Sequence, residues 1–252
     1  MTTENGGQLA LDGKIAIVTG AARGIGRAIA DLLARSGVSV LLQDIDGATL
    51  QETCNRLQEQ GRDILASQGD VSQVEDIQRM IDKTINAWGR VDILVNNAGI
   101  GGVGKTILEL GIEEWRRMID VDLTAVFLSC RAILPHMIEQ KRGRIVNIAS
   151  ITGQMGVAGS THYAAAKAGV IGFSKSLAKE VAPYSINVNV IAPGLVDTDM
   201  SRSRGIDHQR HLVLWPRIGV VDDVAWAVAY LVSEQAEFVT GAVLNVNGGA
   251  YM

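Results

Sequence analysis

Cysteine is nearly missing from this chain. Its 252 residues contain two, Cys54 and Cys130, so there is neither a disulfide framework nor a metal-ligand spacing. Both fall in helical patterns, where a free cysteine acts as a small buried hydrophobe. Aromatic residues are also scarce, at 4 %, while 47 % of the chain is hydrophobic and 28 residues are glycine. That mix predicts an aliphatic core and excludes a disordered chain. No basic stripe accompanies the net charge of −4, which argues against nucleic acid as a partner. No apolar stretch of signal-peptide type occupies the first ten residues. The longest apolar run, Val224 to Val232, is too short to cross a bilayer. The expectation is a cytoplasmic protein without a membrane partner.

Period-two alternation is absent as well. The strand-like segments are continuously apolar: Ile15–Val18, Val38–Leu42, Ile64–Ser67, Val91–Val95, Arg144–Ala149, Ile186–Ile191 and Val243–Val246. Strands of that kind are covered on both faces. Between them lie helical patterns, one through Ile25, Ile29, Leu32 and Leu33, and others over Glu113–Ile138, Tyr163–Glu180 and Asp222–Ser233. Gly37, Gly61 and Gly89 sit where a terminal glycine stops a helix. Ser72 followed by Glu75 has the pattern of a capping box. Alternating strands and helices of these lengths predict a parallel, doubly wound α/β sheet of seven strands. No linker and no repeat divides the chain, so residues 1–252 are expected to form one domain. The 201–216 stretch alone has no clear place in the core.

The turn after the first strand reads Thr19-Gly20-Ala21-Ala22-Arg23-Gly24-Ile25-Gly26. Glycines allow a tight turn and let a pyrophosphate approach the backbone, and the following helix presents its N–H groups and positive dipole end. Asp44 closes the second strand about 20 residues on, where an acid meets an adenosine ribose diol. A carboxylate there repels a 2′-phosphate, so NAD is expected, with NADP the lesser candidate. Arg23, which can pair with such a phosphate, pulls the other way, and Asp46 is a second candidate for the ribose.

Ser150, Tyr163 and Lys167 form the chemical constellation. Tyr163 and Lys167 are four apart in an alanine-rich helical stretch and share one helix face. A fixed ammonium beside a phenol favours the phenolate, which suits tyrosine to proton transfer near neutral pH. Ser150 ends a strand, where its hydroxyl can point at a bound carbonyl. One rival pattern is present. Gly99-Ile100-Gly101-Gly102-Val103-Gly104-Lys105-Thr106 fits the phosphate-binding loop of ATP-handling proteins. Its context is poor, since Gly111 interrupts the helix that should begin at Lys105. No later strand ends in a magnesium-holding aspartate.

Together, Thr19-Gly20-x-x-x-Gly24-x-Gly26, Gly69-Asp70-Val71, Asn96-Asn97-Ala98-Gly99, Ser150, Tyr163-x-x-x-Lys167 and Pro193-Gly194-Leu195-Val196-Asp197-Thr198 resemble the short-chain dehydrogenase/reductase family. The resemblance runs from about Leu11 to Gly249. It implies a Rossmann-type fold and reversible hydride transfer between a nicotinamide and an alcohol or carbonyl carbon. It further implies that Asp70 and Val71 contact adenine, that Asn97 lines the ribose side, and that Val196 and Thr198 hold the carboxamide. Lys167 would also bind the nicotinamide ribose. Members are commonly homotetramers built on the long fourth and fifth helices. Asp122 departs from the pattern, for it stands where the family usually carries an asparagine that orders a proton-relaying water.

Substrate identity is less constrained. The expected walls are Ile100–Thr106, Ile151–Gly159 and Leu195–Trp215, with 201–216 as a lid. Arg202, Arg204, His208, Arg210 and His211, set against Asp199 and Asp207, could recognise an anionic group. A polyol, sugar, hydroxy acid or simple ketone is the expected small-molecule substrate. An NADPH-dependent 3-oxoacyl-(acyl-carrier-protein) reductase is the runner-up. A dinucleotide sensor without catalysis is a remote alternative.

Overall fold

The structure is a computed structural model that describes residues 9–102, 104–202 and 210–252. Its centre is one seven-stranded parallel sheet in the order β3-β2-β1-β4-β5-β6-β7. The strands are β1 (Ile15–Thr19), β2 (Ser39–Asp44), β3 (Ile64–Gln68), β4 (Ile93–Asn96), β5 (Gly143–Ile148), β6 (Ile186–Pro193) and β7 (Val243–Val246). Ile17 pairs with Leu41 on one side and Leu94 on the other. The chain winds outward from β1 through β2 and β3, then returns to start again at β4. The reversal between β1 and β4 opens a crevice at the carboxyl ends of the strands, where ligands bind in such sheets.

Successive strand residues point to opposite faces, and both faces are buried. On one side Ala16, Val18, Val40 and Leu42 pack against α1 (Gly24–Arg35), α2 (Gly47–Glu59) and the helix Val221–Val232 through Ile29, Leu33, Leu57 and Val228. On the other, Ile17, Leu41, Leu94 and Ile145 meet α3 (Val74–Trp88), α5 (Ala125–Gln140) and α7 (Thr161–Val181) through Ile81, Ile133 and Val170. This double covering explains the continuous apolar strands.

Several boundaries differ from the sequence expectation. The strand predicted at Val91 begins at Ile93, because the Asp92 carboxylate, rather than the ladder, accepts the Ile15 N–H at 2.9 Å. No Ser72 capping box forms. The Ser72 N–H and hydroxyl both donate to Asp70 instead, and α3 starts behind an uncapped Gln73. The helix predicted over Glu113–Ile138 is three pieces: α4 (Ile112–Ile119), a π-turn over Asp120–Thr124, and α5. This unit is long and apolar enough by composition to cross a bilayer, which the search for apolar runs missed. Its inner side chains, Val126, Cys130, Ile133 and Met137, pack into the core of the sheet layer. Of the 201–216 segment, 203–209, with Arg204, Asp207 and His208, lie outside the described residues. The rest holds the end of the short helix α8 (Asp199–Arg202) and a 3-10 turn at Arg210–Leu212. A single turn, α6 (Thr152–Met155), precedes α7.

Cys54 and Cys130 are both buried. Loss of solvation pushes the Cys130 thiol up to about 12, against a small opposing effect of its contact with Asn96. A thiol favoured in its neutral form does not attack alkylating reagents. Iodoacetamide near pH ~8.5, where a free thiol is about half ionised, is expected to spare Cys130 in the folded protein and modify it in urea. Mass spectrometry reads the outcome, and rapid labelling of the folded chain would contradict the buried placement.

Candidate active site

A cleft of about 670 Å³ lies along the carboxyl ends of the strands. The expected catalytic and dinucleotide residues line it: Gly20, Arg23, Gly24, Ile25, Gly26, Asp44, Asp70, Val71, Asn97, Asp122, Ser150, Tyr163, Lys167, Val196 and Thr198. The further candidates Asp46, Arg202, Arg210 and His211 do not. Residues up to 178 positions apart meet there because each follows the end of a strand or faces one from a helix.

The βα turn forms one end. Gly20 has φ +64°, and a Cβ on it would approach the Ala98 backbone to 2.8 Å. A Cβ on Gly26 would collide with the Gly20 carbonyl oxygen. Asn97 donates its amide to the carbonyls of Thr19 (2.9 Å) and Gly20 (3.1 Å), bracing the turn from β4. No side chain caps the N-terminus of α1, so its first N–H groups stay available at the cleft. A helix end that no side chain caps among the described residues, its positive dipole and glycines that open the approach fit the pyrophosphate of a dinucleotide. Asp44 accepts the N–H of Ala22 on one oxygen (3.0 Å) and that of Asp46 on the other (3.0 Å). Arg23 forms an ion pair with Asp46 on the same rim.

The reactive end is built on α7, β5 and the π-turn. Lys167 is fully enclosed, with its ammonium 3.0 Å from a carboxylate oxygen of Asp122 and 3.1 Å from the Ile148 carbonyl. The same ammonium lies 5.7 Å from the centre of the Tyr163 ring. Asp122 has no exposed surface, and its second oxygen accepts the Ile100 N–H at 2.8 Å. Burial works against the Lys167 charge. The attraction of Asp122, the neighbouring Tyr163 and the hydrogen bond to Asp122 more than offset it, and hold the lysine above its ordinary value. Gly99 leaves room for the pair, since a Cβ there would lie 2.9 Å from Asp122 and 3.4 Å from the ammonium. Ser150 Oγ accepts the Thr152 N–H at 3.1 Å, which leaves its O–H free to donate into the cleft.

Asp122 therefore differs from its expected setting. Its carboxylate is a direct ionic partner of Lys167, which the sequence pattern did not indicate. The π-turn that carries it inserts an extra residue into the helical turn, a feature common at functional sites. The ATP-loop pattern does not hold. Lys105 pairs with Glu114, and the next helix begins at Ile112. Sequence reasoning missed Arg117, Val121 and Ala250 in the lining. Arg117 and Val121 stand four apart immediately before Asp122, and that helical spacing was the available signal.

The family model for short chain dehydrogenases matches residues 14–209. A Vibrio cholerae 3-oxoacyl-(acyl-carrier-protein) reductase FabG is 42 % identical over 96 % of this chain and 99 % of its own length. The Escherichia coli reductase of the same name is 42 % identical over 96 % and 98 %, and a Synechocystis 3-oxoacyl-(acyl-carrier-protein) reductase 38 % identical over 96 % and 99 %. Among solved structures, the crystal structure of gox2181 superposes with a TM-score of 0.92 at 34 % identity, over 95 % of this chain and 96 % of that one. These relatives overturn the expectation of NAD with NADP as the lesser candidate, because reductases of this kind depend on NADPH. The physical reason lies on the rim. Asp44 is committed on both oxygens to backbone N–H groups of the turn, so its presence there does not require a ribose. Exposed pairs such as Arg23 with Asp46 are weak, which leaves the guanidinium exchangeable to a phosphate.

Removing one member of a buried ion pair strands the other. Asp122→Ala is expected to cost about 3–5 kcal/mol of stability, measured by urea unfolding. The sign of the pH dependence follows from the raised Lys167 value. The pair's contribution is complete below the ordinary 10.5 and is lost as pH rises through the higher folded value. Asp122→Ala should lose that alkaline dependence, and a variant as stable as the parent would remove the pair from the fold's essentials.

Proposed function

The chain belongs to the short-chain dehydrogenase/reductase family, and from that premise we propose that it reduces the 3-oxo group of an acyl thioester, carried on acyl-carrier protein, at the expense of NADPH. It is an oxidoreductase acting between a carbonyl and an alcohol. The observation that carries the finer reading is one cleft in which Ser150, Tyr163 and the Lys167–Asp122 pair face an open helix N-terminus, in a chain 42 % identical to reductases of that name. This reading displaces the polyol, sugar and simple-ketone substrates expected from the sequence.

Bound NADPH supplies the hydride. Gly20, Gly24, Ile25 and Gly26 receive its pyrophosphate, Arg23 its 2′-phosphate, Asp70 and Val71 its adenine, and Val196 and Thr198 its carboxamide, while Asn97 and Asp44 hold the turn in shape. Ser150 donates to the substrate carbonyl oxygen, where negative charge builds. Tyr163 hands its phenolic proton to that same oxygen as general acid. Lys167 stays charged because Asp122 balances it in a buried site, and it orders Tyr163 and the nicotinamide ribose. The chain works as one domain, with 201–216 as its substrate lid. Phe127, an exposed aromatic of α5, packs edge-to-face on Phe173 of α7. That face, together with the family habit, supports a cytoplasmic homotetramer.

Reduction of a 3-oxobutanoyl thioester, followed by loss of reduced-nicotinamide absorbance, is expected to run faster with NADPH than with NADH. Tyr163→Phe should keep dinucleotide binding and lose turnover by a factor of about 10²–10⁴, the range of general acid contributions. Turnover confined to alcohols or sugars, or full activity in Tyr163→Phe, would overturn the assignment.

A further inference from the structure

Three cationic side chains line the cleft among the described residues: Arg23, Arg117 and Lys167. Two of them are neutralised, Arg23 by Asp46 and Lys167 by Asp122. Arg117 has neither an ion pair nor a hydrogen bond among the described residues, although its neighbour Arg116 is paired with Glu113. Arg116 does not reach the cleft lining. Arg117 lies on α4, four residues before Val121, so both side chains share the helix face that looks into the cleft. The helical rise puts Arg117 about 7 Å along the axis from Asp122, and Asp122 contacts Lys167 directly. Arg117, an exposed side chain, thus lines the same cleft as the reacting centre without being part of it.

The surroundings of Arg117 separate it from the dinucleotide end. Asp44 ends β2 and Asp70 follows β3, on the far side of the switch point, whereas α4 packs on α7, which packs on β6. On the substrate side, Met155, Val157 and Leu212 line the cleft, and each is more than two-fifths exposed. Exposed apolar groups in a cleft await an apolar body. A substrate that covers them, places its carbonyl at Ser150 and Tyr163, and extends several bonds further brings its far end to Arg117. A guanidinium that no ion pair occupies among the described residues binds carboxylate or phosphate by paired N–H···O bonds.

We propose that Arg117 is the anion-binding residue of this cleft, and that it selects carbonyl substrates carrying an oxyanion several bonds from the reacting carbon. The inference rests on the 3-oxoacyl reductase reading for its carbonyl chemistry and adds what the other end of the substrate must bear. The oxyanion has two possible sources. A phosphate would lie on the thioester side, and a carboxylate at the end of the acyl chain.

Three thioesters separate these cases. The neutral reference is the N-acetylcysteamine thioester of 3-oxohexanoate. The 3-oxoadipate thioester of N-acetylcysteamine adds an acyl-chain carboxylate at equal chain length, and 3-oxohexanoyl-coenzyme A adds phosphates on the thioester side. The quantity read is kcat/KM for each anionic thioester divided by that for the neutral one. Arg117→Gln is expected to lower that ratio at least tenfold for one of the two, chiefly through KM, with partial recovery in Arg117→Lys. The control Arg116→Gln is expected to keep the parental ratio. A smaller fall for both anionic thioesters, or an equal fall in Arg116→Gln, overturns the proposal. Binding of the same thioesters to the NADPH complex of Tyr163→Phe and of Tyr163→Phe/Arg117→Gln, followed by quenching of nicotinamide fluorescence before the residual turnover, reads the ratio without catalysis. An enzyme that binds anions through Arg117 but reduces none of the thioesters would sink the assigned reaction and keep the anion site.

Discussion

The constraint on which the rest of the site depends is a single charge held out of water. Lys167 has almost no contact with solvent, and an isolated ammonium in that position would lose its proton or unfold the segment that buries it. The carboxylate of Asp122 and the carbonyl of Ile148 make the position tenable. Much of the local architecture serves that pair. The π-turn swings Asp122 inward, the Ile100 N–H fixes its other oxygen, and Gly99 keeps the space clear. Lys167 in turn holds α7 against the end of β5, and this brings Tyr163 and Ser150 to the same wall.

A parallel sheet with a reversal in strand order supplies the setting. Strands β1, β2 and β3 lead away from the switch point in one direction and β4 to β7 in the other. The loops after them must diverge, and the gap between them becomes the cleft. One half offers glycines and an uncapped helix end suited to phosphate groups. The other offers hydroxyl donors and apolar walls suited to a carbonyl substrate. Hydride transfer needs both halves within reach of each other, and the topology provides that without any specialised segment.

Much of this was legible before any coordinates. Continuous apolar strands announced a sheet covered on both sides, and the turn from Thr19 to Gly26 announced a phosphate cradle. The spacing of Tyr163 and Lys167 announced a shared helix face. The failures have physical causes. The position and charge of Asp44 suggest a ribose contact, but neither reveals its engagement with the N–H groups of Ala22 and Asp46. Ser72 looked like a helix cap, but the nearer Asp70 captured its donors. The π-turn left no trace, since one extra residue in a helical turn changes no periodicity strongly enough to notice. Arg117 escaped because a charged, exposed residue on a helix by itself carries no signal in the sequence of the cleft it borders.

What the sequence determined on its own is what short-range chemistry can specify: which segments become strands or helices, where a turn must carry glycine, and which residue types sit four apart. Tertiary structure alone decided which charges neutralise one another. The pairing of Lys167 with Asp122, the engagement of Asp44 by its own turn, and the lack of a partner for Arg117 among the described residues all depend on distances between segments remote in the chain. Coulombic and hydrogen-bond energies fall off within a few ångströms, so they are settled by packing and not by order along the polypeptide.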